Sequence, residues 1–577
     1  MAILDFDISS KLGTVREVDT RKVSVLVEND EDLKKARVGQ LVAIELSGAS
    51  EIWLISIIEK VIRFVGQHDI ENKNNDDKSD SDVLSEPVIN NVRLTLVGTF
   101  GWVAEKGKIT FTRSISQVPG ITDNCFVLLG KQLETFMSVL SATGKKGEHS
   151  LELGNYIIDE TAKAFLDGNK FFQRHAAILG STGSGKSWTV ASILEQAAKL
   201  PTSNLIVFDL HGEYSNLSYT RRLRIPGPDE LDTSSDELLY LPYWYLNAEE
   251  MQSMFIDRSE FSAHNQVMAF QDAVIDQKKN TLKILGKKDV LNAFTLDSPV
   301  PFDLDKVIQT LNDMNEEMIQ GTRGIKQGQF FGQFSRLLTR LKSRLSDKRY
   351  GFLFSAPKAE HDYNAMARTV TKLMDYSTEN AQIKVIDFSE VPSDILPIIV
   401  GLVARIIYQV QFWTDHEKRR PLALICDEAH LYLPEKFGKN PIETRAIEAF
   451  ERIAKEGRKY GVSLVIVSQR PSDVSTTILS QCNNVISLRL TNGADRSTVS
   501  KLMPESLESL LEVLPIMDVG EGLVVGDAVL LPSRIRINKP KEEPLSATID
   551  FWTEWMKEAE DPNFEKSIEN MRKQRRK

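Results

Sequence analysis

This 577-residue sequence predicts an α/β protein: a parallel sheet covered by helices, preceded by a small β-rich module. Three observations carry that reading. From about residue 152 onward, apolar runs alternate with amphipathic stretches, the pattern of strands buried on both faces between helices. Up to about residue 140 the runs are short, β-branched and separated by polar turns, which suits a small barrel or sandwich. The composition, 41% hydrophobic and 26% charged, is that of an ordinary globular chain, and the length suits about three or four domains.

In chain order, residues 11–27 hold two short strand-like runs around a polar turn, and 40–46, 52–65, 92–100 and 108–112 continue the β pattern. Residues 71–82, ENKNNDDKSDSD, contain no apolar side chain and read as a loop tip that buries nothing. These runs define an N-terminal module over 1–140. Buried strands are expected at 175–179, 204–208, 383–388, 422–426, 464–467 and 484–490, which makes 150–217 and 380–540 one α/β core. The strand signal fades between 218 and 379, which reads as a helical insertion. Within it, residues 333–345 place Phe334, Leu337, Leu338, Leu341 and Leu345 on one helical face, with Arg336, Arg340 and Arg344 beside it. Runs at 522–525 and 528–531 flank Gly526-Asp527, a hairpin signal. Residues 541–577 form a helical C-terminal extension ending in Arg572, Lys573, Arg575, Arg576 and Lys577, a solvated basic terminus.

Composition excludes several classes. Cys125, Cys426 and Cys482 stand too far apart for a disulfide framework or a metal-ligand pair, as in a reducing compartment, so a cytoplasmic location is expected. The start, MAILDFDISSK, lacks the basic and apolar regions of a signal peptide. The most apolar stretch, 395–413, is interrupted by Pro397, Arg405, Gln409 and Gln411, so no membrane anchor is expected. With 71 basic and 81 acidic residues the formal charge is −10, which argues against a generally basic nucleic-acid coat but leaves room for a local basic channel.

The strongest chemical signal is Gly180-Ser181-Thr182-Gly183-Ser184-Gly185-Lys186-Ser187, between an apolar run and a helix-like one. This is the G-x-x-x-x-G-K-[ST] phosphate loop in its strand-to-helix setting. Glycines let the backbone wrap a polyphosphate, amides and a helix N-terminus donate to it, Lys186 neutralises charge, and the Ser187 hydroxyl can ligate Mg²⁺. Binding of a nucleoside triphosphate follows. Hydrolysis also needs carboxylates, and the apolar run 422–426 ends at Asp427-Glu428, where a sheet's C-terminal edge would face the phosphate loop. Asp427 would hold the Mg²⁺ shell and Glu428 would polarise the attacking water. Gln469, after the run 464–467, is placed to sense a γ-phosphate. Asp209, His211 and Glu213, in DLHGEY, make a further candidate site, though one His with two acids is weak as a metal set.

Together, RHAAILGSTGSGKS (174–187), DLHGEY (209–214), CDEAH (426–430) and EGRKYGVSLVIVSQRPSDV (456–474) resemble the HerA family of DNA-translocating ATPases, in the HerA/FtsK branch of RecA-like P-loop motors. DLHGEY and SQRPSDV narrow the choice; the phosphate loop alone fits many families. The resemblance implies a RecA-like core behind a HAS-barrel-like N-terminal barrel, and ATP hydrolysis, with Mg²⁺, coupled to translocation of double-stranded DNA. It also implies a homo-hexameric ring with DNA in its pore, and a nuclease or other effector partner. The role would be DNA end processing, in repair, or antiphage defence. Ring ATPases complete each site with a neighbour's arginine, for which Arg458, Arg452 and Arg174 are the candidates. Basic pore groups would track phosphates without reading bases, giving salt-dependent, sequence-independent binding. Two rivals are a nucleotide-gated scaffold ring that activates an effector, and an FtsK-like or conjugative DNA pump, which typically carries membrane segments.

Overall fold

The computed structural model describes residues 4–7, 10–46, 52–65, 88–103, 107–115, 117–145, 150–233, 235–321, 324–377, 382–435, 441–546, 550–557 and 564–574. The polar segment 71–82 and the terminal Arg575, Arg576 and Lys577 lie outside the described residues. Two compact units divide the chain. The first is Met1–Ile193 with Arg470–Ser472 and Cys482–Lys539; the second is Leu194–Gln469 with Asp473–Gln481 and Pro540–Lys577.

The first unit opens with β1 (Lys11–Asp19), β2 (Lys22–Val27), β3 (Leu41–Glu45), β4 (Ile52–Val65), β5 (Val88–Val103), β6 (Lys108–Thr112) and β7 (Asn124–Val127). Antiparallel pairing runs β2, β1, β7, β3, β4, β5, and β5 pairs back onto β2, so six strands close a barrel and β6 adds to β5. Period-two alternation fills it: Val23, Val25 and Val27, then Val42, Ile44 and Leu46, then Val92, Leu94 and Leu96 are all buried in one cluster. Register shifts at Ile55/Ser56 and Ile58/Lys60 bend the two long strands β4 and β5. The choice between barrel and sandwich resolves as a barrel.

The chain continues through β8 (Ser150–Tyr156), β9 (Asp159–Asp167) and β10 (Ala176–Leu179). The second unit contributes β11 (Leu205–Asp209), β12 (Arg221–Arg224), β13 (Met318–Gly321), β14 (Gly324–Gln327), β15 (Ile383–Asp387), β16 (Leu422–Cys426) and β17 (Val462–Ser468). The first unit closes with β18 (Asn484–Ser487), β19 (Glu521–Gly526) and β20 (Ser533–Ile537). Within the second unit β12, β15, β11, β16 and β17 pair in that order, all parallel. Every residue of β11, β15, β16 and β17 is buried, which is why these strands read as continuous apolar runs.

In the first unit only β10 and β18 run parallel, whereas β18, β19, β20, β8 and β9 pair antiparallel in that order. The expectation of a parallel sheet is corrected there. Only residues 157 and 158 separate β8 from β9, too few for the crossover a parallel pair requires. The late hairpin exists but is shifted, since its second strand is β20 and not 528–531. That apolar run is consumed elsewhere: Ala528 N–H donates to Asn484 Oδ1 at 2.8 Å, and Ala528 O accepts from Asp167 N–H at 2.8 Å.

Between β12 and β15 the chain is mainly helical, with Ala248–Phe255, Ala263–Ile284, Leu304–Glu316, Ser335–Ser346 and Ala365–Met374 as its main helices and β13–β14 as an antiparallel hairpin. Helix Ser335–Ser346 buries Leu337, Leu338 and Leu341, and Arg340 beside them donates to Phe255 O at 3.1 Å and pairs with Glu260. Helix Leu396–Trp413 starts on Pro397, whose fixed φ suits a first turn, and packs on helix Pro441–Glu456. Among the described residues it is the one helix long and apolar enough to cross a membrane, yet 67% of it is buried in the protein. Its Arg405 pairs with Glu250 at 2.7 Å.

Lys384, in β15, is fully buried, and its ammonium donates to Asn204 Oδ1 at 2.6 Å. Burial pushes its pKa down from 10.5 to about 7. A lysine with a depressed folded pKa disfavours the native state while it is charged in the unfolded chain, so the cost is fully present below about pH 7 and fades as pH rises toward 10.5. Lys384→Met removes that pH-dependent cost, so its stability relative to the parent is expected to be most favourable at low pH and to decline as pH rises toward about 10. Thermal melts of both proteins across pH 6–10 check this, the gap narrowing as pH rises.

Candidate functional site

The phosphate loop lies in the first unit, between β10 and helix Lys186–Ala197. Gly183 and Gly185 have φ of +70° and +105°, conformations that side chains with a Cβ resist. A Cβ on Gly180 would stand 2.5 Å from Ser184 Oγ and 2.7 Å from Leu488 Cβ. The loop is braced on both sides: Ser181 N–H donates to Arg489 O at 2.9 Å, and Gly520 N–H donates to Ser184 O at 3.0 Å. Lys186, only 7% exposed, folds its ammonium back onto Ser181 O at 3.2 Å. Ser184 Oγ is buried with no hydrogen-bond partner. The result is a braced loop at a helix N-terminus with a lysine ammonium folded over it, the arrangement that binds polyphosphate.

The carboxylates lie in the second unit. Asp427 and Glu428 follow β16 and are 4% and 5% exposed. Burial, followed by the nearby Glu428, Glu213 and Asp209, pushes the Asp427 carboxyl well above the usual carboxylate range, against the pull of the Glu428 N–H. An acid so costly to ionise is one that a divalent cation would neutralise, so the donor chemistry fits Mg²⁺. Glu428 sits in the left-handed region, φ +45° and ψ 43°, a strained conformation for a residue with a Cβ. Gln469 follows β17, and its Nε2 donates to Glu428 Oε1. The other oxygen, Oε2, is buried without a hydrogen-bond partner and lies 3.4 Å from His430 Nδ1, which in turn is 3.4 Å from Ser468 Oγ.

In DLHGEY the first carboxylate organises the backbone. The Asp209 Oδ1 accepts from the N–H of His211, Gly212 and Glu213 at 3.1, 2.8 and 3.1 Å, and Oδ2 accepts from Tyr214 N–H at 3.0 Å. Four amides occupy the Asp209 carboxylate, which organises the turn. Among the described residues no three His, Cys, Asp or Glu side chains converge on a metal position. A cavity of about 390 Å³ opens where β11, β15 and β12 end, lined by residues that include His211, Arg222, Arg224, Glu230, Asp387 and Glu390. Arg222 pairs with Asp387 at 2.8 Å and Arg224 with Glu230. Sequence reading missed these two arginines, although alternation in Arg221–Arg224 puts both on one strand face.

The three candidate arginines differ. Arg174 is held by Asp527. Arg452 lies over the rings of Tyr408 and Phe412, 5.1 and 5.9 Å from their centroids, and reaches Glu456 at 3.9 Å. Arg458 is exposed, and its side chain makes no hydrogen bond or ion pair among the described residues.

Residues 151–407 match the family described as Helicase HerA, central domain. The chain is 27% identical over 398 residues to the probable helicase MJ1565 of Methanocaldococcus jannaschii, covering 68% of each. It is 26% identical over 418 residues to the DNA double-strand break repair helicase HerA of Pyrococcus furiosus, covering 69% of this chain and 71% of that one. Among solved structures, VirB4 of Thermoanaerobacter pseudethanolicus aligns with a TM-score of 0.44 at 19% identity, over 68% of this chain and 97% of that one.

Proposed function

We propose, from the premise that this chain carries a HerA central domain and is a HerA-family P-loop ATPase, that it couples ATP hydrolysis to movement along double-stranded DNA. The observation that carries the reading is the buried Asp427-Glu428 pair, with Glu428 strained and held by Gln469, in a chain that also builds a braced phosphate loop. Gly180 to Ser187 bind the triphosphate and Lys186 sets its charge against the β- and γ-phosphates. Ser187 and Asp427 would hold Mg²⁺, which supplies further charge neutralisation on the phosphates. Glu428 orients the attacking water, and Gln469 answers to the γ-phosphate.

The working form in this reading is a cytoplasmic homo-hexameric ring around DNA, acting with a nuclease or other effector. Its resemblance to enzymes named for DNA double-strand break repair supports end processing, and antiphage defence is the alternative setting. Arg458 is the arginine best placed to act on a neighbour's nucleotide, because its side chain has no partner within its own described chain. Lys186→Ala tests the nucleotide step: ATP affinity is expected to fall about 100-fold or more, measured by equilibrium binding. Affinity within threefold of the parent would overturn the site. Displacement of a protein roadblock from linear DNA, dependent on Lys186, then separates a translocase from a scaffold ring.

A further inference from the structure

We propose, resting on the DNA-motor reading above, that the β13–β14 hairpin and helix Ser335–Ser346 after it form a contact surface for the phosphate backbone of duplex DNA, with Lys326, Arg336 and Lys342 as its charged groups. Residues 318–346 hold six basic side chains and no acidic one, in a chain whose net charge is −10. A local excess of that kind attracts a polyanion whatever the sign of the whole chain. The nearest preceding acids, Glu316 and Glu317, stand before the hairpin begins.

The fold holds this segment out on a fixed base. β13 and β14 pair only with each other, Met318 level with Gln327 and Gly321 with Gly324, and every residue of β14 is exposed. A two-stranded ribbon is marginal by itself, so its root has to be anchored. Asn315 does this: its O accepts from Gly332 N–H at 2.9 Å, and its Oδ1 accepts from Phe334 N–H at 2.7 Å, with Phe334 fully buried. Two of the six cations are used by the fold, Arg340 pairing with Glu260 and Arg344 with Asp394. Arg323 lies outside the described residues. The other three, Lys326, Arg336 and Lys342, are exposed, and their side chains make no hydrogen bond or ion pair among the described residues. They can therefore turn to phosphates without breaking a contact, and each phosphate they neutralise releases a counterion. Cross-strand register puts Met318 and Ile325, 53% and 70% exposed, on one face of the ribbon, where they suit the sugar faces between phosphates. Contacts of this kind position a duplex and read no sequence.

The test replaces all three cations, Lys326→Ala, Arg336→Ala and Lys342→Ala, in the full chain. Its control is Lys279→Ala, Lys283→Ala and Lys288→Ala, three exposed lysines elsewhere in the helical insertion. Affinity for a labelled linear DNA duplex is measured by fluorescence anisotropy at salt from about 50 to 200 mM. The hairpin variant is expected to bind about tenfold or more weakly and to lose about 2–3 from the slope of log affinity against log salt, since each phosphate contact contributes about 0.9. The control should keep the parent slope. A parent slope in the hairpin variant, or an equal loss in the control, would overturn the contact surface and leave the DNA-motor reading standing. Absence of salt-dependent duplex binding by the parent would overturn that reading and the contact surface with it. Thermal melts report folding. If the triple variant does not fold, Lys326→Ala alone, on the fully exposed strand, supplies the test through a slope change of about 0.9.

Discussion

Glu428→Gln is expected to bind ATP and hydrolyse it about 10²- to 10⁴-fold more slowly than the parent, because in the proposed mechanism the carboxylate orients water and does not hold nucleotide. The substitution is nearly isosteric and leaves the strained backbone in place, so loss of turnover is not a folding effect. The measurement is single-turnover hydrolysis beside ATP affinity. Affinity within a few-fold of the parent with a large loss in rate supports the role; turnover near the parent rate would remove it.

If Arg458 is the proposed finger, Arg458→Ala should have a comparable or larger effect, about 10³- to 10⁵-fold in turnover with ATP binding retained, since a finger acts on charge that develops in the transition state. Arg452→Ala should be milder, because Arg452 is already stacked on Tyr408 and Phe412. Subunit mixing tests whether Arg458 acts across a boundary. Arginine-deficient subunits mixed with Lys186-deficient ones form some interfaces with an intact phosphate loop and an intact arginine, and these should recover part of the activity. Turnover is followed across mixing ratios under conditions of subunit exchange. No recovery in confirmed mixed rings would place Arg458 within its own subunit or mean that a ring with dead members cannot cycle, and a linked dimer with the two substitutions on opposite halves tells these apart.

What the sequence disclosed followed from how tightly chemistry constrains residue type. Gly183 and Gly185 adopt positive φ, so the phosphate loop could be read without a structure. The run at β16 is apolar because it is buried on both faces, and the first polar residues after it had to fall at the strand's end. Pairing direction in the first unit was less legible, since the run 528–531 is as apolar as a strand but is buried through contacts with Asn484 and Asp167. The role of Asp209 in the backbone was hidden for a related reason. A carboxylate that organises four amides has the same letters as any other, and only the hydrogen bonds reveal it. The Gln469–Glu428 contact was hidden because it depends on register between strands whose sequences are about 40 residues apart.

Closure of the N-terminal barrel also sets the order in which it forms. Its β2–β5 seam joins Lys22 to Thr95 and Val27 to Asn90, pairings that no chain can make early without ordering most of the intervening strands. Local pairs such as β1–β2 carry a small entropy cost and form first, so the seam is the slow, late event, as expected where contacts are distant in sequence.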